Sequence, residues 1–162
     1  MTHEEVLDIS AGIRDIAVSA GRTVSTAESC TSGRISALLT SVSGSSEYYQ
    51  GGMTAYQNSL KIQFLGVSPS DIDRYNVVSR QVAEQMVRGA CRLFHTDYAI
   101  ASTGYAEGGT PSIPSGTIWI AWGTPSDVRS LCLTGDCGRE NNTANAAETA
   151  LMEFLSYLRS VI

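Results

Sequence analysis

The chain has 162 residues, a length that suits one domain with an ordinary core. Its hydrophobic share of 43% and charged share of 17% belong to a folded globular chain and exclude a disordered one. A net charge of −5 excludes an extended nucleic-acid surface, which needs clustered Lys and Arg, but leaves room for a small anionic ligand met by one or two local cations.

The opening "MTHEEVLDIS" carries acids where a secretory signal carries basic residues and then an apolar stretch. No apolar run approaches the ~20 residues that span a bilayer, so no membrane partner is expected and the expected location is cytoplasmic. Residues 4–20 read as an amphipathic helix with Val6, Ile9, Ile13, Ile16, Ala17 and Ala20 on one side and Gly21 as its stop. A strand over 23–28 and a helix over 31–42 follow. The stretch 43–52, "SGSSEYYQGG", is turn-rich, with one short helical turn expected inside it. "MTAYQN" (53–58) alternates like a strand, and 59–66 reads as a short helix closed by Gly66.

Pro69 opens a small helical piece, and Ser79 caps a helix whose apolar positions are Val82, Ala83, Met86, Val87, Ala90, Cys91 and Phe94. "DYAIASTG" (97–104) is a nearly continuous apolar run, the pattern of a central strand buried on both faces. A glycine- and proline-rich loop (105–116), a hairpin (117–123 and 128–135) and a helix over about 142–160 complete the chain. Early alternation of helix and strand with a late hairpin predicts a single three-layer α/β/α sandwich on a mixed sheet of about five strands.

Ligands in open α/β sheets bind beyond the carboxyl ends of strands. Three such ends collect polar residues: "ESCTS" (28–32), "YQNSLK" (56–61) and "STGYAEGGTP" (102–111). The first lies where a helix begins, so its hydroxyls and thiol suit either an N-cap or a nucleophile. A serine nucleophile needs a base, and the two histidines are poorly placed for it. His3 is near the terminus, and His95 closes a helix just before a strand begins, at the edge opposite the cleft. Lys61 is the only lysine, against ten arginines, and stands on the helix that leaves the second polar strand end. A lysine in a partly dry site loses proton affinity and serves as a base, although a solvated surface lysine is the commoner case. The cysteines Cys30, Cys91, Cys132 and Cys137 match no zinc spacing and read as reduced thiols. Trp119 and Trp122 fall on opposite faces of one strand by parity.

"TAESCTSG", "SGSSEYYQGGMTAYQNSLKIQFLGV", "VSRQVAEQM", "STGYAEGGT" and "SGTIWIAW" occur in this order over residues 20–135. Together they resemble the CinA C-terminal domain family, whose active members are nicotinamide-nucleotide amidohydrolases. The resemblance implies an α/β/α domain, usually a homodimer, that hydrolyses the carboxamide of nicotinamide mononucleotide with no metal and no organic cofactor. It implies Ser29 as nucleophile with Tyr56 and Lys61 assisting, and a substrate cleft drawing on Cys30, Thr31, Gly44, Ser45, Ser46, Thr103, Gly104, Gly108, Gly109 and Arg139. Departures from the family pattern are Ser32 at a glycine of "ESCTGG", a shortened "GYAEGGT", and Ile113 in place of a lysine. Cys137 and Asn141 or Asn142 stand where arginines are usual, which leaves Arg139 as the neighbouring cation. The retained trio favours an enzyme. The neutral 137–142 segment favours a non-catalytic or redirected paralogue that binds a small molecule or a partner protein.

Overall fold

The computed structural model describes residues 1–162. Five strands, β1 (Val24–Glu28), β2 (Tyr49–Thr54), β3 (Tyr98–Gly104), β4 (Ile118–Thr124) and β5 (Asp127–Leu133), form one sheet in the order β2-β1-β3-β4-β5. β1 pairs parallel with β2 and β3, while β3–β4 and β4–β5 are antiparallel, so the sheet is mixed as expected. Helices α1 (His3–Ala20), α2 (Arg34–Leu39) and α6 (Arg139–Val161) cover one face. Helices α3 (Asn58–Leu65), α4 (Pro69–Tyr75) and α5 (Arg80–Phe94) cover the other.

The period-2 alternation of the buried strands sorts large from small residues. Val24, Tyr98, Ile100, Ile118, Ile120 and Trp122 face α1, α2 and α6, where Tyr98, Phe154 and Tyr157 pack with ring centroids 5.9–6.3 Å apart. Ala27, Ala99, Ala101 and Ala121 face the other way and let α5 lie close to the sheet. Trp119 packs beside that second core and Trp122 in the first, as parity requires. Gly89, in the middle of α5, lets the backbone of Leu65 at the end of α3 rest directly on the helix.

Three boundaries differ from the pattern. β2 begins at Tyr49 and ends at Thr54, so the expected strand at 53–58 covers only its last residues. Gly51 and Gly52 disguise this edge strand as a turn, and Gly52 is required because a Cβ there would collide with the Thr26 hydroxyl and lie 2.9 Å from that of Tyr49. The helix expected over 31–42 shrinks to Arg34–Leu39, because Ser32 (φ 51°) and Gly33 (φ 93°) turn left-handed before it starts. Conversely, α6 starts three residues early, at Arg139. His95 caps α5 at the amino-terminal edge of β3, far from the strand ends that carry the polar clusters.

Candidate active site

Beyond Glu28 the chain leaves the sheet through a tight turn over 29–33. The amino end of α2 does not present free amides, as a helix start would lead one to expect. The buried Glu28 carboxylate folds back and accepts from the Ile35 amide (2.9 Å), the Ser36 amide (3.0 Å), the Ser36 hydroxyl (2.7 Å) and the Thr31 hydroxyl (2.6 Å). Ser102, on β3, lies 2.7 Å from the Thr31 hydroxyl and accepts from the Ser29 amide at 3.3 Å. Thr31 is thereby a buried strut of the turn and not part of the cleft lining. Its backbone amide and that of Cys30 donate to no other protein residue.

These contacts set Ser29, 7% exposed, at the floor of a cavity of about 230 Å³. Lys61 comes up from the first turn of α3. Its Nζ lies 3.0 Å from Ser29 Oγ and donates to the Tyr56 carbonyl, also at 3.0 Å. The side chain is 1% exposed, no acid forms an ion pair with it, and burial pulls the ammonium down to about 8. Burial acts on the neighbouring Cys30 in the opposite sense and pushes its thiol up to about 12, so the thiol is neutral where the amine is not fully charged.

The three polar strand ends therefore meet, and the same cavity takes in Thr103, Gly104, Glu107 and Arg139. Thr103 donates to the Val77 carbonyl at 3.0 Å and so holds the turn before α5 against the cleft. Tyr56 contributes to Lys61 through its carbonyl alone. Its hydroxyl, on a half-exposed ring, accepts from Arg139 Nη2 at 3.1 Å, while Arg139 Nη1 pairs with Glu107 at 3.0 Å. Asn142 sets this bridge: its amide nitrogen donates to the Ala106 carbonyl and to Asp136, and its oxygen accepts from the Cys137 amide, each at 2.9 Å. Cys137 itself is exposed and outside the lining, so the cation on this wall is Arg139.

Other expected cleft residues lie elsewhere in the chain's fold. Gly44, Ser45 and Ser46 precede β2, at the amino-terminal edge of the sheet, and Gly44 sits beside Arg14 of α1. Gly108 and Gly109 shape the loop after β3, with Gly109 bridging to Pro114, but neither lines the cavity. Asn58, Val77, Val78 and Tyr105 do line it, without having been singled out. Val77 and Val78 carry no chemical signal, since the Thr103 contact that brings them in spans the fold.

The left-handed Ser32 gives a test of the turn. A non-glycine residue there costs about 1–2 kcal/mol, and its hydroxyl recovers only a 3.4 Å contact to the Ser29 carbonyl. Ser32→Gly should raise stability by about 0.5–1 kcal/mol after the added chain entropy of glycine, read as a shift in the urea midpoint.

The family model of the CinA C-terminal domain matches residues 7–158. This chain belongs to the CinA C-terminal domain family. Over 162 aligned residues it is 34% identical to the nicotinamide-nucleotide amidohydrolase PncC of Escherichia coli strain K12, covering 96% of this chain and 98% of that protein. It is 46% identical over 102 residues to a CinA-like protein of Rippkaea orientalis, covering 62% of this chain and 24% of that one. Among solved structures, a CinA superfamily protein from Escherichia coli matches with a TM-score of 0.91 at 28% identity, covering 97% of this chain and 93% of the other. The competence/damage inducible protein CihA from Agrobacterium tumefaciens matches with a TM-score of 0.89 at 34% identity, with 95% of each chain covered. The fold is thus shared along nearly the whole length of this CinA domain. No helix is long and apolar enough to cross a membrane.

Proposed function

We propose that this CinA domain is an amidohydrolase that deamidates nicotinamide mononucleotide, or a closely related carboxamide nucleotide or nucleoside, to the acid and ammonia. The observation that carries the reading is the buried pair of Lys61 Nζ and Ser29 Oγ at 3.0 Å, with an amine whose proton affinity is lowered to about 8. A nucleophile within hydrogen-bond reach of a base near its working pH is the arrangement that acyl transfer needs. The 34% identity to an amidohydrolase named for nicotinamide nucleotides supports this substrate class.

In the cycle this reading entails, Ser29 Oγ attacks the carboxamide carbon while its proton passes to neutral Lys61. The oxyanion is met by the Cys30 amide, which borders the cleft and donates to no other residue, since the Ser29 amide is already held by Ser102. Collapse breaks the C–N bond, and the Lys61 ammonium returns the proton to the leaving nitrogen, releasing ammonia and an acyl-serine. Water, deprotonated by Lys61, then cleaves the ester to the carboxylate and restores Ser29. The Tyr56 carbonyl holds the amine in line throughout.

The test is ammonia release from nicotinamide mononucleotide as a function of pH. Because Lys61 must be neutral to act, kcat/KM should rise about tenfold per pH unit below about 8 and level off above it. A flat profile from about pH 6 to 9 removes Lys61 as the base. The second reading, a binding paralogue without turnover, is favoured by the neutral 137–142 segment, with Cys137 and Asn141 or Asn142 where the family pattern has arginines, and it predicts saturable binding of the nucleotide with no ammonia at any pH.

A further inference from the structure

Behind the cleft, two rows of hydroxyls converge on a buried carboxylate that the proposed cycle does not use. Glu28 Oε1 accepts from the Thr31 hydroxyl at 2.6 Å and the Ile35 amide at 2.9 Å. Its Oε2 accepts from the Ser36 hydroxyl at 2.7 Å and the Ser36 amide at 3.0 Å. Donors face both oxygens, and a hydroxyl has one proton to give, so these contacts fix the direction of the bonds behind them.

Thr31 has given its proton to Glu28 and therefore accepts from Ser102 at 2.7 Å. Ser102 in turn offers a lone pair to the Ser29 amide at 3.3 Å. The other arm leads away from the cleft. Ser36 accepts from Thr26 at 2.7 Å, and Thr26 accepts from Tyr49 at 2.8 Å. Each arm is polarised toward the carboxylate, and bonds in such a series strengthen one another in a dry interior. Glu28, Thr31 and Ser102 are all buried, and none of them lines the cavity above Ser29.

The first arm ends on the backbone of the nucleophile, whose amide has no partner but Ser102. That contact fixes the peptide plane ahead of Ser29 and with it the direction of the side chain, whose Oγ lies 3.0 Å from Lys61 Nζ. In a reversed chain Ser102 would point its proton at the amide, donor against donor. Glutamine at position 28 disturbs the polarity, because its NH2 group meets donors whichever way it turns.

We infer that Glu28, Thr31 and Ser102 are positioning residues for Ser29: a one-way hydroxyl chain, anchored on a buried carboxylate, holds the nucleophile in line with Lys61. The inference rests on the amidohydrolase reading for what Ser29 does, and adds the residues that aim it.

Comparing the two arms separates aiming from stability alone. Thr31→Val keeps the side-chain shape and removes the hydroxyl, and Ser102→Ala cuts the same arm at its other end. Each should lower kcat for ammonia release from nicotinamide mononucleotide about tenfold or more with KM nearly unchanged, and Thr31→Ser should restore it. Tyr49→Phe removes the far end of the second arm and should leave kcat as it was, even where it lowers the urea midpoint as much. Normal kcat in Ser102→Ala, an equal loss in Tyr49→Phe, or a rise in KM alone overturns the chain. If the wild type releases no ammonia, the amidohydrolase reading fails, and hydrogen exchange of the Ser29 amide, followed by NMR, decides the chain without turnover. Exchange about tenfold or more faster in Ser102→Ala than in the wild type supports it, and equal rates overturn it.

Discussion

Ser29→Ala is expected to abolish ammonia release from nicotinamide mononucleotide, and Lys61→Met to cut it at least about a hundredfold while making the protein more stable at neutral pH. The pairing of these outcomes follows from burial. Lys61 is enclosed at 1% exposure without a carboxylate partner, and its only polar contacts are Ser29 Oγ and the Tyr56 carbonyl. A charged ammonium in that position is a cost the fold carries for the site.

The sign follows from proton binding. The folded protein releases the Lys61 proton at about 8, whereas the unfolded chain holds it to the ordinary lysine value of 10.5. Between those values the unfolded state binds more protons, so the contribution of Lys61 to stability improves as pH rises through the window and is least favourable below about 8. Methionine has similar length and no charge, and its gain at neutral pH is on the order of 1–3 kcal/mol. Lost activity with an unchanged or lower urea midpoint would mean that the amine is stabilised by its contacts and not strained by burial. Cys30→Ala is the control. Its thiol, raised to about 12, is neutral at working pH, and the substitution should cost activity only mildly. An inactive Cys30→Ala with active Ser29→Ala would transfer the nucleophile to the thiol.

The second large effect is expected far from the cleft. In Gly89→Ala the new methyl would overlap the Leu65 carbonyl oxygen and lie 2.7 Å from its carbonyl carbon and Cα. These are backbone atoms, so the helices must part, since no side chain can swing aside. Overpacking of this kind costs about 1–3 kcal/mol or more, and the better helix propensity of alanine returns about 1. A net loss of about 2 kcal/mol is expected in urea unfolding. Lys61 is one turn before Leu65 on the same buried side of α3, so the displacement reaches the Lys61 amine, the base of the proposed cycle, directly. A shift of about 1 Å at a catalytic group costs up to a hundredfold, and kcat should fall with stability. Normal turnover in a destabilised Gly89→Ala would show that α3 is positioned from its amino end, at Tyr56, and not by α5.

What the sequence determined by itself is local. The amphipathic period of α5, the unbroken apolar run of β3 and the strand-then-turn at residues 24–33 each depend on neighbours a few residues apart, and each is present where the pattern puts it. The polar ends of three strands pointed to the cleft for the same reason, because strand ends in a parallel arrangement lie on one edge. Edge strand β2 escaped because its glycines answer to Thr26 and Tyr49 across the sheet, not to strand propensity. The site was decided at longer range. Lys61 meets Ser29 across 32 residues and Arg139 meets Tyr56 across 83, so neither contact leaves a trace in periodicity. Only the sheet order β2-β1-β3 brings Lys61 beside Ser29, strips the amine of water and lowers its proton affinity. The same order sends Gly44, Ser45 and Ser46 to the far edge, although they are nearer to Ser29 in the chain than Lys61 is. Residue type supplied the functional groups, and tertiary packing supplied the dry, crowded surroundings in which a lysine loses proton affinity.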